Sequence, residues 1–171
     1  NYLSLGTMLN LPVNNKLQFR FSGSILQSDG FRYNKFRESS DSNKKDEQFI
    51  RVKLNYKPLK NFKVLGTLIY AELDNGYDSW APDNNTDYHT YSDDNGEDSQ
   101  KTLGGSVRIN LNSSNKYKFT SISAYTKTNL IHSYDGDWAN DQYWYSNHGF
   151  DPQAEGWSYE FFDKNDRERK S

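Results

Sequence analysis

Aromatic and acidic residues crowd the same stretches of this chain, and they are the residues whose types can do chemistry. Tyr77, Trp80, Tyr88 and Tyr91 fall within residues 74–98, and Trp138, Tyr143, Trp144 and Tyr145 within residues 133–166. Rings held at this density in polar segments either capture a ligand or pack on one another, and the sequence leaves both open. Acidic runs at 74–83, 93–98 and 135–141 offer the hard oxygen ligands that Ca²⁺ takes. "DGDWAND" sets carboxylates at alternate positions but lacks the spacing and closing Glu of an EF-hand loop, so a loop Ca²⁺ stands second to plain solvated charge. His89, His132 and His148 are scattered without ligand spacing, and there is no cysteine, so neither a metal centre nor a disulfide framework is expected. No nucleophile–base pair and no phosphate-binding glycine loop is legible, and a glycosidase pair of carboxylates cannot be placed from sequence. The expectation is a protein that is not an enzyme and has no resident cofactor.

Composition bounds the setting. The 171 residues suffice for one ordinary domain. Mean hydropathy is -1.05, yet 16% of the residues are aromatic, which argues against a disordered chain. A net charge of -2 gives no basic field, so nucleic acid is not an expected partner. No apolar run approaches the length of a membrane helix, and no signal peptide is visible. The first residue is not Met and the last five are "RERKS", and both ends read as cuts through a larger protein.

The elements that must position these residues are strands. "YLSLGTMLNL" places Leu3, Leu5, Leu9 and Leu11 on one face. "LQFRFSGSILQ" sets Leu17, Phe19, Phe21 and Ile25 against Gln18, Arg20, Ser22 and Ser24. "QFIRVKLNYK" sets Ile50, Val52, Leu54 and Tyr56 against Arg51, Lys53, Asn55 and Lys57. "FKVLGTLIYAEL" is apolar on both faces, so its orientation stays open. "KTLGGSVRINL" sets Leu103, Val107, Ile109 and Leu111 against Thr102, Ser106, Arg108 and Asn110, and "KYKFTSISAYTKT" follows, with Ser121 and Ser123 interrupting the face of Phe119. "RKS" opens a seventh strand at most. Gly104 and Gly105 mark a bend or close packing within a strand. Short turns at "PVNNK", "KPLKN" and "NSSN" alternate with long polar stretches at 29–47, 74–98 and 133–166, and no helix is expected.

This predicts an all-β fold, an antiparallel up-and-down meander of about six long strands. Its apolar face needs a cover, and the chain supplies neither an amphipathic helix nor a second set of strands. Lipid is the cover that fits. Strands of about ten residues cross a tilted bilayer span, with apolar residues outward, polar ones inward, and long loops at one rim. Tyr2, Tyr56, Phe62, Tyr70, Tyr117 and Tyr125 fall near strand ends, where interfacial rings belong. Residues 1–171 therefore read as a partial segment of a transmembrane β-barrel, with Arg20, Arg51, Lys53 and Arg108 facing the lumen.

"VKLNYKPLKNFKVLGTLIYAELDNGYDSWAPDNN" resembles the barrel of TonB-dependent outer-membrane receptors, in which a strand ending in an aromatic, a basic or polar residue and Pro turns tightly into a strand that enters an acidic, Gly-rich loop. "SDDNGEDSQKTLGGSVRINL" and "FTSISAYTKTN" continue the pattern, which covers most of the chain without an invariant motif. The resemblance implies a 22-strand barrel in the bacterial outer membrane around an N-terminal plug, powered through TonB and importing a small scarce ligand of the siderophore, cobalamin or oligosaccharide class. No plug sequence and no TonB box is present in these residues. Two other readings remain: a passive porin-like barrel, and a soluble β-sheet carbohydrate-binding module that stacks sugars on Trp80, Trp138 and Trp144.

Overall fold

The computed structural model describes residues 1–113 and 117–171. Seven strands form one antiparallel meander: β1 (Tyr2–Pro12), β2 (Leu17–Ser28), β4 (Lys45–Leu59), β5 (Phe62–Gly76), β7 (Glu97–Asn112), β8 (Lys118–Asp135) and β9 (Glu160–Lys170). Each pairs with its neighbour in this order, and the sheet is open, with β1 and β9 as its edges. The short connections lie at one end. Asn14 shapes the first of them, its side-chain oxygen accepting from the Lys16 and Leu17 amides at 2.8 and 3.0 Å, as turn asparagines do. The third expected turn, "NSSN", lies partly outside the described residues.

The long connections carry structure of their own. β3 (Tyr33–Asn34) and β6 (His89–Thr90) pair in parallel as a second, two-stranded sheet. The third connection holds α1 (Asp141–His148) and α2 (Pro152–Glu155), where the sequence reading expected no helix. Neither helix shows apolar periodicity, but both carry local end signals. Asn140 caps α1 by accepting from the Tyr143 amide, and Gly149 closes it at φ 64°. Asp151 caps α2, Pro152 follows, and Gly156 ends it. The seventh strand also begins earlier than "RKS" suggests: β9 starts at Glu160, and β8 runs on to Asp135. Polar "EFFDKNDRERK" has no alternating apolar face, so its strand character comes from pairing with the upper half of β8, Tyr125 to Asp135.

Pairing fixes the faces. Phe21, Val52, Leu68 and Gly105 are register partners across four strands, and Tyr56, Val64 and Ile109 across three. The apolar set of every strand in the sequence reading falls on this one face. β5, open from its sequence, puts Phe62, Val64, Leu68 and Tyr70 there and Leu65, Ile69 and Ala71 on the other. Tyr56, Phe62, Tyr70 and Tyr125 share the apolar face, whereas Tyr2 lies opposite Ser28 on the polar one. Nothing among the described strands and helices crosses over this face: contacts between sheet strands join only neighbours. Leu68 and Leu103 are 53% and 51% exposed. Among the described residues the sheet buries no large apolar side chain, and the buried side chains, Asn34, Asp78, Thr90 and Asp135 among them, are mostly polar and sit at the loop end.

The apolar band is narrower than the strands, which are 11 to 18 residues long. Its upper edge runs through Ile25, Ile50, Tyr70, Leu103 and Tyr125. Ile25 pairs with Gln48 on β4, while the row of Tyr125 passes through Gly105 and Leu68 to Val52. The edge thus shifts four residues along β4 in four strand steps. Its lower edge drifts the same way, from Leu11, whose row reaches Gly66 on β5, to Phe119, whose row reaches Phe62. Immediately beyond Tyr70, Lys101 Nζ reaches Glu72 at 3.3 Å, and the Tyr70 hydroxyl donates to Glu72.

Candidate functional site

The long loops meet at two junctions. At the first, the buried Asp78 carboxylate is the common acceptor. Asn34 Nδ2 donates to it at 3.0 Å from the first long loop. Thr90 Oγ1 at 2.5 Å and Ser92 Oγ at 3.3 Å donate from further along its own loop. Asn34 also donates to the Ser92 carbonyl at 2.8 Å and accepts from the Phe36 and Arg37 amides. The β3–β6 pairing follows from this fixed point.

At the second junction the third loop joins the second. Asn140 Nδ2 donates to the Tyr91 carbonyl at 2.7 Å, and the Asp93 amide to the Ala139 carbonyl at 3.0 Å. Asp135 Oδ1 accepts from the amides of Asp137 and Trp138, both at 3.0 Å. Those bonds hold Trp138 at φ 63°, a left-handed conformation uncommon for so bulky a residue. Burial, then the charges of Asp137 and Asp93, push the Asp135 carboxyl up to about 7. Burial and the charge of Asp137 likewise raise Asp93.

The loop aromatics of the sequence reading divide between two ring clusters. Trp138 stacks on Tyr134 at 4.9 Å with planes 7° apart, and Tyr134 stacks in turn on Phe161 at 4.7 Å. Tyr77 packs edge-on against His132 at 4.7 Å and lies 6.3 Å from Trp138, and Trp80 extends the row at 6.2 Å from Trp138. The second cluster joins Tyr91 to Tyr143 at 4.6 Å and Tyr143 to Trp144 at 5.5 Å, then runs through Phe150 to Trp157. Tyr91 donates from its hydroxyl to Asp83 at 2.7 Å. Tyr88 leaves these clusters and meets Phe31 at 5.6 Å, and Tyr145 stands alone at 71% exposed.

Ring packing therefore engages Tyr77, Tyr91, Trp138 and Tyr143 between the second and third loops, and Trp144 within the third. Trp80, 63% exposed at the open end of the first row, still presents ring surface to solvent. Tyr134 and Phe161 go unmarked in the sequence because they lie in strands, on the polar face, and His132 beside them stands there only as a scattered histidine. Their signal was the period-two spacing of His132 and Tyr134.

Arg20, Arg51, Lys53 and Arg108 share the face opposite the apolar band, joined by Lys63 and Lys118. Arg20 and Lys53 are direct register partners, a like-charge opposition that is unfavourable in a sheet. Arg20 Nε donates to Asn10 at 2.7 Å, and among the described residues none of the six cations forms an ion pair. Leu65, Ile69 and Ile122 lie between them, with Ile122 57% exposed. No three His, Asp or Glu side chains among the described residues form a ready metal-ligand set. The chain matches no protein family, no curated protein and no solved structure.

Proposed function

We propose that this chain is a segment of an outer-membrane β-barrel receptor, resembling the TonB-dependent class, that captures a small scarce ligand at its long-loop end for import. The observation that carries the reading is the uncovered apolar band and the slope of its edges. A drift of about one residue per strand, at ~3.4 Å per residue and ~4.8 Å between strands, inclines the strands by about 35° to the normal of the band. Membrane barrels tilt their strands by roughly 35–45°. Eight residue steps from Phe62 to Tyr70 give about 27 Å along the strand, near the height of a barrel's lipid-facing belt once tilted. Tyr70 with Lys101 and Glu72 just above it suits an interface, where a ring and a long cation reach toward water.

The receptor is favoured over a passive pore by the opposite face. Leu65, Ile69 and Ile122 among six cations that form no ion pair among the described residues suit an interior filled by an acidic, partly apolar protein layer better than a water-filled channel. A soluble carbohydrate module would need a layer over Leu68 and Leu103, and one face of Trp138 is already occupied by Tyr134. Energisation through TonB rests on the resemblance alone.

No cysteine among these 171 residues competes with a spin label introduced into them. In the intact protein reconstituted in lipid, a label at Val107 should meet lipid-soluble oxygen and one at Ser106 the water-soluble relaxant. The same accessibility at both positions, or cooperative folding of a detergent-free monomer, ends the membrane reading. A large steady conductance across a planar bilayer ends the receptor reading in favour of the porin.

A further inference from the structure

Charge is segregated along the sheet. Residues 48–71 and 99–134 contain no Asp or Glu, although the chain carries 23. The short-turn ends of β4, β5, β7 and β8 come from these two stretches, so cations gather there without acidic neighbours. A cavity of about 440 Å³ opens at this end, and Lys57, Lys60, Lys63, Arg108 and Lys118 line it. Register places the strand members on the polar face: Lys63 lies opposite Asn110, Arg108 opposite Leu65, and Lys118 opposite Asn112. Among the described residues no carboxylate lines the cavity, and none of the five cations forms an ion pair. Asn110 lines it as well, and its Oδ1 accepts from Thr120 Oγ1 at 3.1 Å, so its amide nitrogen is the end left to donate. Ammonium and guanidinium groups carry donors and no acceptor. Like charges in one concavity repel each other, and the concavity focuses their field on any anion that enters.

We propose that this cavity binds a compact anion bearing clustered phosphates, held by Lys63, Arg108 and Lys118 from the strands and by Lys57 and Lys60 from around the turn between β4 and β5. Its volume falls in the range of small-molecule sites. Phosphate packs more charge and more acceptor oxygens into such a space than a carboxylate does. Lysine binds it as a point charge, and arginine binds it through two parallel hydrogen bonds. In the barrel reading the cavity lies at the short-turn rim of the lumen, at the far end from the loops that meet an imported ligand. The inference needs the sheet alone and does not rest on that reading.

Calorimetric titration of the intact protein in nonionic detergent, at low salt and without divalent metal, uses tripolyphosphate as the ligand. Saturable binding is expected, weakening as added salt screens the charges. Lys63→Gln and Arg108→Gln should each weaken it by about tenfold or more, the loss that goes with one charged hydrogen bond. Lys127→Gln, on the apolar side of β8, makes the same change in net charge and should leave binding unchanged. Dihexanoylphosphatidic acid distinguishes the sources of phosphate: tighter binding than tripolyphosphate identifies a lipid headgroup, weaker binding a free oligophosphate, and either supports the proposal. Lack of saturable binding overturns it, as do equal losses in Lys127→Gln and Arg108→Gln. Tighter binding of hexaglutamate than of either phosphate also overturns it, in favour of an acidic peptide. Circular dichroism checks each variant, and if Arg108→Gln misfolds, Lys118→Gln decides by the same criterion.

Discussion

The Asn34 amide donates to the Asp78 carboxylate at 3.0 Å across 44 residues of sequence, and this bond ties the first long loop to the second. Asp78→Ala would strand the hydroxyls of Thr90 and Ser92 as well as one donor of Asn34, at about 1–3 kcal/mol for each group left buried and unpaired. The sheet does not depend on these bonds. Limited proteolysis should therefore cut within residues 29–44 and 77–96 faster in the variant, while its β-sheet spectrum is unchanged. Equal cleavage rates would show that the loops are held by something else.

Val107 and Ser106 are neighbours in sequence on opposite faces of β7. Arginine at position 107 should destabilise folding into lipid vesicles by about 2–4 kcal/mol, the cost at a bilayer midplane, and arginine at 106 by far less. Folding titrations of the two variants in lipid give the comparison. Similar penalties would mean that the Val107 face does not meet acyl chains.

Gly104 is a packing requirement. A Cβ there would come within 3.0 Å of Thr126 Oγ1 and 3.2 Å of Ile69 Cγ1, its partners on the two adjacent strands. Gly104→Ala should cost about 1–3 kcal/mol by overpacking. Ile69→Ala in the same chain should recover part of that loss, read as a favourable coupling in a double-mutant cycle.

Tyr91 should titrate late. Burial first, then its hydrogen bond to Asp83, push its hydroxyl up to about 12 from an ordinary value of 10.0. The folded state then holds more protons than the unfolded one between those values, so stability falls as pH rises through that window. Tyrosinate absorbance should show a late-ionising ring that is lost in Tyr91→Phe, while Tyr143, which burial and then the charge of Asp83 also push up, stays in the variant. The same variant should cost about 0.5–1.5 kcal/mol at neutral pH for the lost hydrogen bond. A titration unchanged by Tyr91→Phe would refute this assignment.

The strands and their faces were legible because side chains alternate at a fixed local period. Ile50, Val52, Leu54 and Tyr56 announce one face of β4 without reference to any other part of the chain. β5 was ambiguous for the same reason: with apolar residues at both parities, only its partners Val52 and Val107 through Leu68 and Gly66 settle which set joins the band. β9 was missed because a charged strand has no such signal, and α1 and α2 because their evident marks were end caps alone.

Residue order alone was enough for a polar, cysteine-free chain of strands, one apolar face on each but β5, with rings and acids gathered in the long loops. Folding in three dimensions was needed for Asp78 to collect donors from two loops, for Trp138 to lie on Tyr134, and for Asp135 to be buried. Strand faces follow from the stereochemistry of neighbouring residues, whereas these contacts follow from how the meander brings its loop ends together. That arrangement depends on pairing register across many strands, and no local spacing encodes it.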